Sequence, residues 1–69
     1  KSYTKKLLND KNLSVSKVKE EVAELIEAVE KNTNKIHESA DVLYHLLVYL
    51  EANNIKIEDV MKELEKRKK

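Results

Sequence analysis

The chain has 69 residues, 14 of them basic and 13 acidic, with no glycine, proline or cysteine. Lack of cysteine excludes a disulfide framework and a thiolate metal site. Lack of glycine excludes a P-loop and a dinucleotide-binding turn, which both bring backbone close to phosphate. So small a domain buries only about 60% of its unfolded surface, so a partner subunit or an oxygen-ligated metal is expected to complete it.

The only aromatic side chains are Tyr3, Tyr44 and Tyr49, a poor basis for a basic, stacking surface, and no nucleic-acid partner is expected. No apolar run approaches the roughly 18 residues of a membrane span, and no signal-peptide pattern occurs. No membrane association is expected, and a chain without cysteine suits the cytoplasm.

In chain order, Ser2 is placed to cap a short first helix from Tyr3 to Asn9, with Leu7 and Leu8 turned inward. Asp10 to Leu13 reads as a connection. Ser14 or Ser16 then caps a second helix running to about Lys31. Its apolar residues Val18, Val22, Leu25, Ile26 and Val29 recur at three and four. Asn32, Thr33 and Asn34 break it, asparagine being the best substitute for glycine in a left-handed turn.

A third helix, from about Lys35 to Ala52, carries a stripe of Ile36, Ala40, Leu43, Leu47 and Leu50. Val42, Tyr44, Leu46, Val48 and Tyr49 spread apolar character round much of its remaining circumference, so burial in a bundle is expected. The tyrosines read as packing residues whose hydroxyls reach the rim. Asn53 and Asn54 end the helix. Ile57, Val60, Met61 and Leu64 mark a shorter fourth helix whose last residues, Lys66 to Lys69, complement the negative pole of its C-terminus. The fold class is therefore all-α, an antiparallel helical bundle completed by oligomerisation. A homodimer or higher homo-oligomer is expected around Ala40, Leu43, Leu46, Leu47 and Leu50.

Chemistry concentrates in the carboxylates. Glu20, Glu21 and Glu24 share one flank of the second helix, beside its apolar stripe. Glu27 lies farther round and reads as solvent-facing. Glu38, Asp41 and His45 fall on one face of the third helix. The short connection makes the two helices antiparallel, which puts Glu24 near the level of Asp41. Acids on a buried helix are costly unless paired or metal-bound. Mg²⁺ accepts such oxygen ligands together with substrate phosphate oxygens, and an unliganded carboxylate can serve as base. The bland alternative is a solvated acidic face, since Glu- and Lys-rich helices carry acids at these spacings without any ion. His45 reads equally as an orienting residue beside the acids and as a satisfied core histidine. His37, within about 100° of Glu38 and Asp41, is taken to point away from them and to be exposed. No serine has a base beside it, so nucleophilic catalysis is not supported.

Glu20-Glu21-Val22-Ala23-Glu24, followed after thirteen residues by Glu38-Ser39-Ala40-Asp41, resembles the EExxE…ExxD signature of the MazG-type, all-α nucleoside triphosphate pyrophosphohydrolases. Ser2 to Leu8 resembles the SYTxxL segment of phosphoribosyl-ATP pyrophosphatases within that superfamily. Glu38 to Leu50 is similar to their ExADLLYHLLVLL helix, and Ile57-Glu58-Asp59-Val60 with Glu63-Leu64 to their closing LEDVxxEL helix. The resemblance implies Mg²⁺-dependent hydrolysis of phosphoribosyl-ATP to phosphoribosyl-AMP and pyrophosphate, in histidine biosynthesis, by a helical dimer. It carries the metal-ligand positions onto Glu20, Glu21, Glu24, Glu38 and Asp41, with Mn²⁺ as the alternative ion. Glu20, Glu24 and Glu38 are then the candidate catalytic acids, and Lys17, His45, Tyr3 and Thr4 the candidate substrate contacts. Lys19, Ser39 and Lys56 depart from the family pattern, in its place of a glycine, an alanine and a capping serine. The family's helix before SYT is also missing, so an N-terminal helix is expected upstream of this single domain of residues 1–69. Two other functions compete: a MazG-type housecleaning pyrophosphatase acting on dNTPs or NTPs, and a non-catalytic helical interaction module. A di-iron carboxylate bundle fits less well, because no Glu-x-x-His pair occurs.

Overall fold

Among the described residues of this glycine-free chain, asparagine takes every left-handed position: Asn32, Asn34 and Asn54 have φ of 57°, 48° and 59°. Its short polar side chain makes that region affordable. These turns divide a computed structural model, which describes residues 2–68, into α1 (Ser2–Asn9), α2 (Lys11–Lys31), α3 (Lys35–Ala52) and α4 (Ile57–Lys66). There is no strand among the described residues. No described helix is long and apolar enough to cross a membrane. Lys69, the last of the basic C-terminal residues, lies outside the described residues.

The sequence-based boundaries hold for α3 and α4, but the start of α2 is corrected. Asp10 alone separates α1 from α2. Its backbone is extended, and its Oδ1 accepts the amide of Leu13 at 3.1 Å, so it satisfies a first-turn donor that the expected Ser14 or Ser16 cap would have met one turn later. Ser14 is instead buried inside the helix. At the far end of α2 the Asn32 amide reaches the carbonyls of Ala28 and Val29, and the Thr33 amide bonds the Ala28 carbonyl at 2.9 Å. The chain thus reverses in three residues, and α2 and α3 pack together, with α1 lying against both.

The seam between these helices has heptad-like spacing and unusual contents. On α2 the buried residues are Ser14, Glu21 and Ala28; on α3 they are His45 and Val48. Glu38 and Asp41, at the same spacing one and two steps earlier on α3, are half-buried. Only Leu7, Ala28 and Val48 are buried apolar residues among those described. The apolar stripes, expected to be buried in a bundle completed by oligomerisation, are uncovered in the single chain. On α2, Ile26 and Val29 are exposed, and on α3, Ile36 is 85% exposed, Leu43 60% and Leu47 49%. The physical reason is arithmetic: α1 covers the polar side of the α2–α3 pair, and no other described helix covers the opposite side. α4 has no buried residue and exposes Ile57, Met61 and Leu64 on one face. A radius of gyration of 13.7 Å, against about 11 Å for a closed domain of this length, fits an open half-bundle.

Candidate metal centre

Five acids from two helices meet along the seam. On α2, Glu20, Glu21 and Glu24 each bring a carboxylate oxygen within 4.8 Å of the others; on α3, a ring nitrogen of His37 and a carboxylate oxygen each of Glu38 and Asp41 lie equally close together. The two groups are linked across the helix pair by Glu24 and Glu38. These line one recess, of about 390 Å³, at the turn end of the seam, and their charges act on each other.

Burial distinguishes this arrangement from a solvated acidic face. The Glu21 side chain is 8% exposed, and the Oε1 atoms of Glu21 and Glu38 are both buried without any hydrogen-bond partner. A buried carboxylate oxygen without a donor costs several times what a normal hydrogen bond contributes. The strain is visible in Glu24, whose carboxyl is pushed above its ordinary value, first by the charge of Glu21, then by desolvation, then by Glu38 and Glu20. All-oxygen donors on a hard, carboxylate-rich site fit Mg²⁺ or Mn²⁺ better than a softer ion.

Lys17 is the cation nearest this cluster. Its Nζ lies 3.2 Å from Glu20 Oε1 and 3.7 Å from Glu21 Oε2. The hydrogen bond to Glu20 holds its ammonium group above the usual lysine value. It therefore leans on the acids themselves, and one cation answers two of the five carboxylates.

His37 is exposed as expected, but it is not turned away from the acids. Its Nε2 lies 3.4 Å from Asp41 Oδ2, because a residue four positions on sits only about 40° round the helix. His45 takes the core-histidine alternative: it is 6% exposed. Its Nδ1 bonds the backbone carbonyl of Asp41 at 2.7 Å, and its Nε2 meets the hydroxyl of Tyr3 at 2.7 Å. Neither ring nitrogen touches a carboxylate.

Tyr3 and Thr4 come from α1, which is pinned by the wholly buried Leu7. Thr4 Oγ1 hydrogen-bonds the hydroxyl of Tyr44. The Tyr3 phenol is raised by desolvation, against the opposing charge of Lys17, with Tyr44, Glu21 and Glu20 adding to the rise, so its oxygen lies within electrostatic reach of the α2 acids. Sequence reasoning missed the far wall of the recess, formed by Glu27, Lys31, Thr33 and Asn34. Its one signal was the spacing of Glu27 and Lys31, which pair at 2.7 Å.

A family model for phosphoribosyl-ATP pyrophosphohydrolase matches residues 1–68. The chain belongs to the phosphoribosyl-ATP pyrophosphohydrolase family. It is 46% identical over 69 residues to a phosphoribosyl-ATP pyrophosphatase of Allorhizobium ampelinum, covering 96% of this chain and 66% of that protein. It is also 46% identical to the phosphoribosyl-ATP pyrophosphatase of Dechloromonas aromatica, covering 97% of this chain and 65% of the relative. The same similarity, 46% over 63 residues, extends to a histidine biosynthesis trifunctional protein of Kluyveromyces lactis, of which it covers 8%. The chain thus spans about two thirds of the single-function relatives and a small part of the multifunctional one. No solved structure matches. The pyrophosphohydrolase family assignment accords with an all-helical chain that lacks every glycine-based phosphate loop.

Proposed function

We propose that this chain hydrolyses phosphoribosyl-ATP to phosphoribosyl-AMP and pyrophosphate, with Mg²⁺ or Mn²⁺ held by Glu20, Glu21, Glu24, Glu38 and Asp41, as a step of histidine biosynthesis in the cytoplasm. The family membership supports the substrate. The observation that carries the chemistry is the pair of buried, partnerless carboxylate oxygens on Glu21 and Glu38, in a seam position that a bundle would ordinarily fill with leucine.

When bound, a divalent cation supplies charge that neutralises both the acids and the phosphoanhydride oxygens. The protein's own groups do the rest. Glu24, which lines the recess together with Glu38, is placed to accept a proton from the attacking water through a carboxylate oxygen that does not ligate the cation. Glu20 and Glu38 flank it as further catalytic candidates. Lys17 offers positive charge to a phosphate at the edge of the cluster, and Tyr3 and Thr4 reach the same edge from α1, with His45 behind them.

The exposed stripes on α2, α3 and α4 support a homodimer or higher oligomer, since Ile26, Val29, Leu43, Leu47, Met61 and Leu64 are exposed while only three apolar residues are buried among those described. Patches of this kind mark association surfaces.

The test is pyrophosphate release from phosphoribosyl-ATP at saturating Mg²⁺, beside a panel of dNTPs and NTPs. Release from phosphoribosyl-ATP at least tenfold faster than from any dNTP is the expected result. Preference for a dNTP would reassign the chain to nucleotide housecleaning. Inactivity together with no saturable Mg²⁺ binding would make it an interaction module.

A further inference from the structure

The recess at the turn end of the seam joins two kinds of chemistry. Glu24 and Glu38 of the acid cluster line it together with Lys31, Thr33 and Asn34. Its volume of about 390 Å³ lies near the small end of ligand sites, which run from about 300 to 1,000 Å³. Ala28 is its one apolar lining residue among those described, so a base would find almost nothing to pack against. A compact, oxygen-rich group suits it better.

Lys31 is the one cation on that lining among the described residues. Its Nζ lies 2.7 Å from Glu27 Oε2, and both side chains are largely exposed. An ammonium has three donors, and this contact uses one, so two remain for a ligand. Lys17 differs, since it leans on two of the cluster's own acids at 3.2 and 3.7 Å. Asn34 stands in the left-handed region, with φ 48°, and its side chain makes no capping bond to α3. Its carboxamide is therefore not consumed by the helix it precedes and keeps its donors for the recess. Three acids and one lysine line the space, so it repels a free anion and accepts one that arrives with a divalent cation.

We propose that this recess is the subsite of the departing diphosphate, whose oxygens are bound by Lys31 and Asn34. Glu24 and Glu38 belong to both the recess and the acid cluster. Its occupant is therefore the anionic part of the substrate next to the reacting bond, not the phosphate at the distant ribosyl end. The assignment rests on the hydrolase reading above. It also divides the work of the two lysines: Lys31 holds the diphosphate, and Lys17 is left to the half of the nucleotide that stays whole.

Calorimetric titration of the intact chain with pyrophosphate in the presence of Mg²⁺ tests the subsite without turnover. Wild type should bind, and Lys31→Met should weaken binding on the order of tenfold, as for loss of a charged hydrogen bond. Lys31→Arg should restore most of it. Lys31 is exposed, so these variants should keep the fold. Asn34→Gly keeps the left-handed turn, which glycine adopts freely, and should weaken binding about threefold. Phosphoribosyl-AMP, the other product, should bind every variant as it binds wild type. No binding of pyrophosphate by wild type, unchanged binding by Lys31→Met, or equal losses for both products would each overturn the proposal. A loss confined to phosphoribosyl-AMP would overturn it too, by giving the recess to the nucleotide half. A wild type that binds pyrophosphate through Lys31 yet releases none from phosphoribosyl-ATP would sink the hydrolase reading and leave the subsite standing.

Discussion

The two faces of α3 invert the usual order of a soluble helix. Inward lie Glu38, Asp41 and His45, with Val48 the one buried apolar residue among them; outward lie Ile36, Leu43 and Leu47. A helix folding alone would lose by this arrangement, since burying carboxylates is costly and exposing aliphatic side chains forgoes their transfer free energy. In the proposed assembly a cation would answer the inner face and a second subunit the outer one. The difference between the faces therefore separates chemistry from assembly, and each can be broken without the other.

Breaking the outer face should have the largest effect. Leu43→Glu combined with Leu47→Glu places a charge at two central positions of the exposed stripe, in every subunit at once. Burying such charges costs several kcal/mol, more than a modest interface can offset. Wild type should sediment as a dimer or larger species at micromolar concentration and show a Tm that rises with concentration. The double variant should sediment as a monomer with a concentration-independent Tm. A wild type that is already monomeric, and folded, would remove the case for the stripe as an interface.

The inner face should respond in activity rather than assembly. Glu24→Gln and Glu38→Gln preserve shape and nearly preserve helix propensity, so helicity by circular dichroism and oligomeric state should survive. Each removes a charge from the cluster, and pyrophosphate release should fall on the order of 10²-fold or more, as for loss of a catalytic acid–base group. Glu30→Gln, an exposed position on the same helix, is the matched control and should stay near wild type. Glu27 is less suitable, because it lines the recess beside Glu24 and pairs with Lys31. Equal losses at all three positions would reduce the effect to general charge.

Much of this was legible in the chain itself. The antiparallel turn followed from three asparagine-rich residues in a sequence without glycine, and the α3 acids stood out because that helix offers few polar sites. Periodicity alone could not say which stripe faces inward. Val18, Val22, Leu25 and Val29 score as a core face on any hydrophobicity count, yet the monomer buries Ser14, Glu21 and Ala28 instead. The reason is that a sequence pattern reports apolar burial in the final assembly, and cannot tell a partner helix in the same chain from one in another. The Tyr3–His45 bond was hidden for a related reason: it joins residues 42 apart, and only the packing of α1 across α3 brings them together. His37 was misread through angle counting alone, although an i,i+4 spacing to Asp41 was in plain view.

The smallest expected effect sharpens the inner face without catalysis. In metal-free buffer, Glu21→Gln replaces a buried, partnerless carboxylate oxygen with an amide that can donate to its neighbours. The variant should be more stable than wild type by about 1 kcal/mol, or roughly 4–8 °C in Tm for a domain of this size. Glu24 supplies the pH signature. Its folded carboxyl is raised above the ordinary 4.5, chiefly by Glu21, so its contribution to stability is fully present below the unfolded value and is lost as pH rises through the folded one. Glu27, held below 4.5 by Lys31, works in the opposite sense: its contribution is present above 4.5 and is lost as pH falls through its lower folded value. Wild type without metal should therefore lose stability as pH rises above about 4.5 through the raised folded value of Glu24, and Glu21→Gln should flatten that decline by removing the main cause of the Glu24 shift. Saturating Mg²⁺ should raise the wild-type Tm at neutral pH and raise that of Glu21→Gln less, since one ligand charge is gone. Parallel pH–stability curves for the two proteins, with equal responses to Mg²⁺, would mean that Glu21 and Glu24 do not share the buried charge problem that the seam presents.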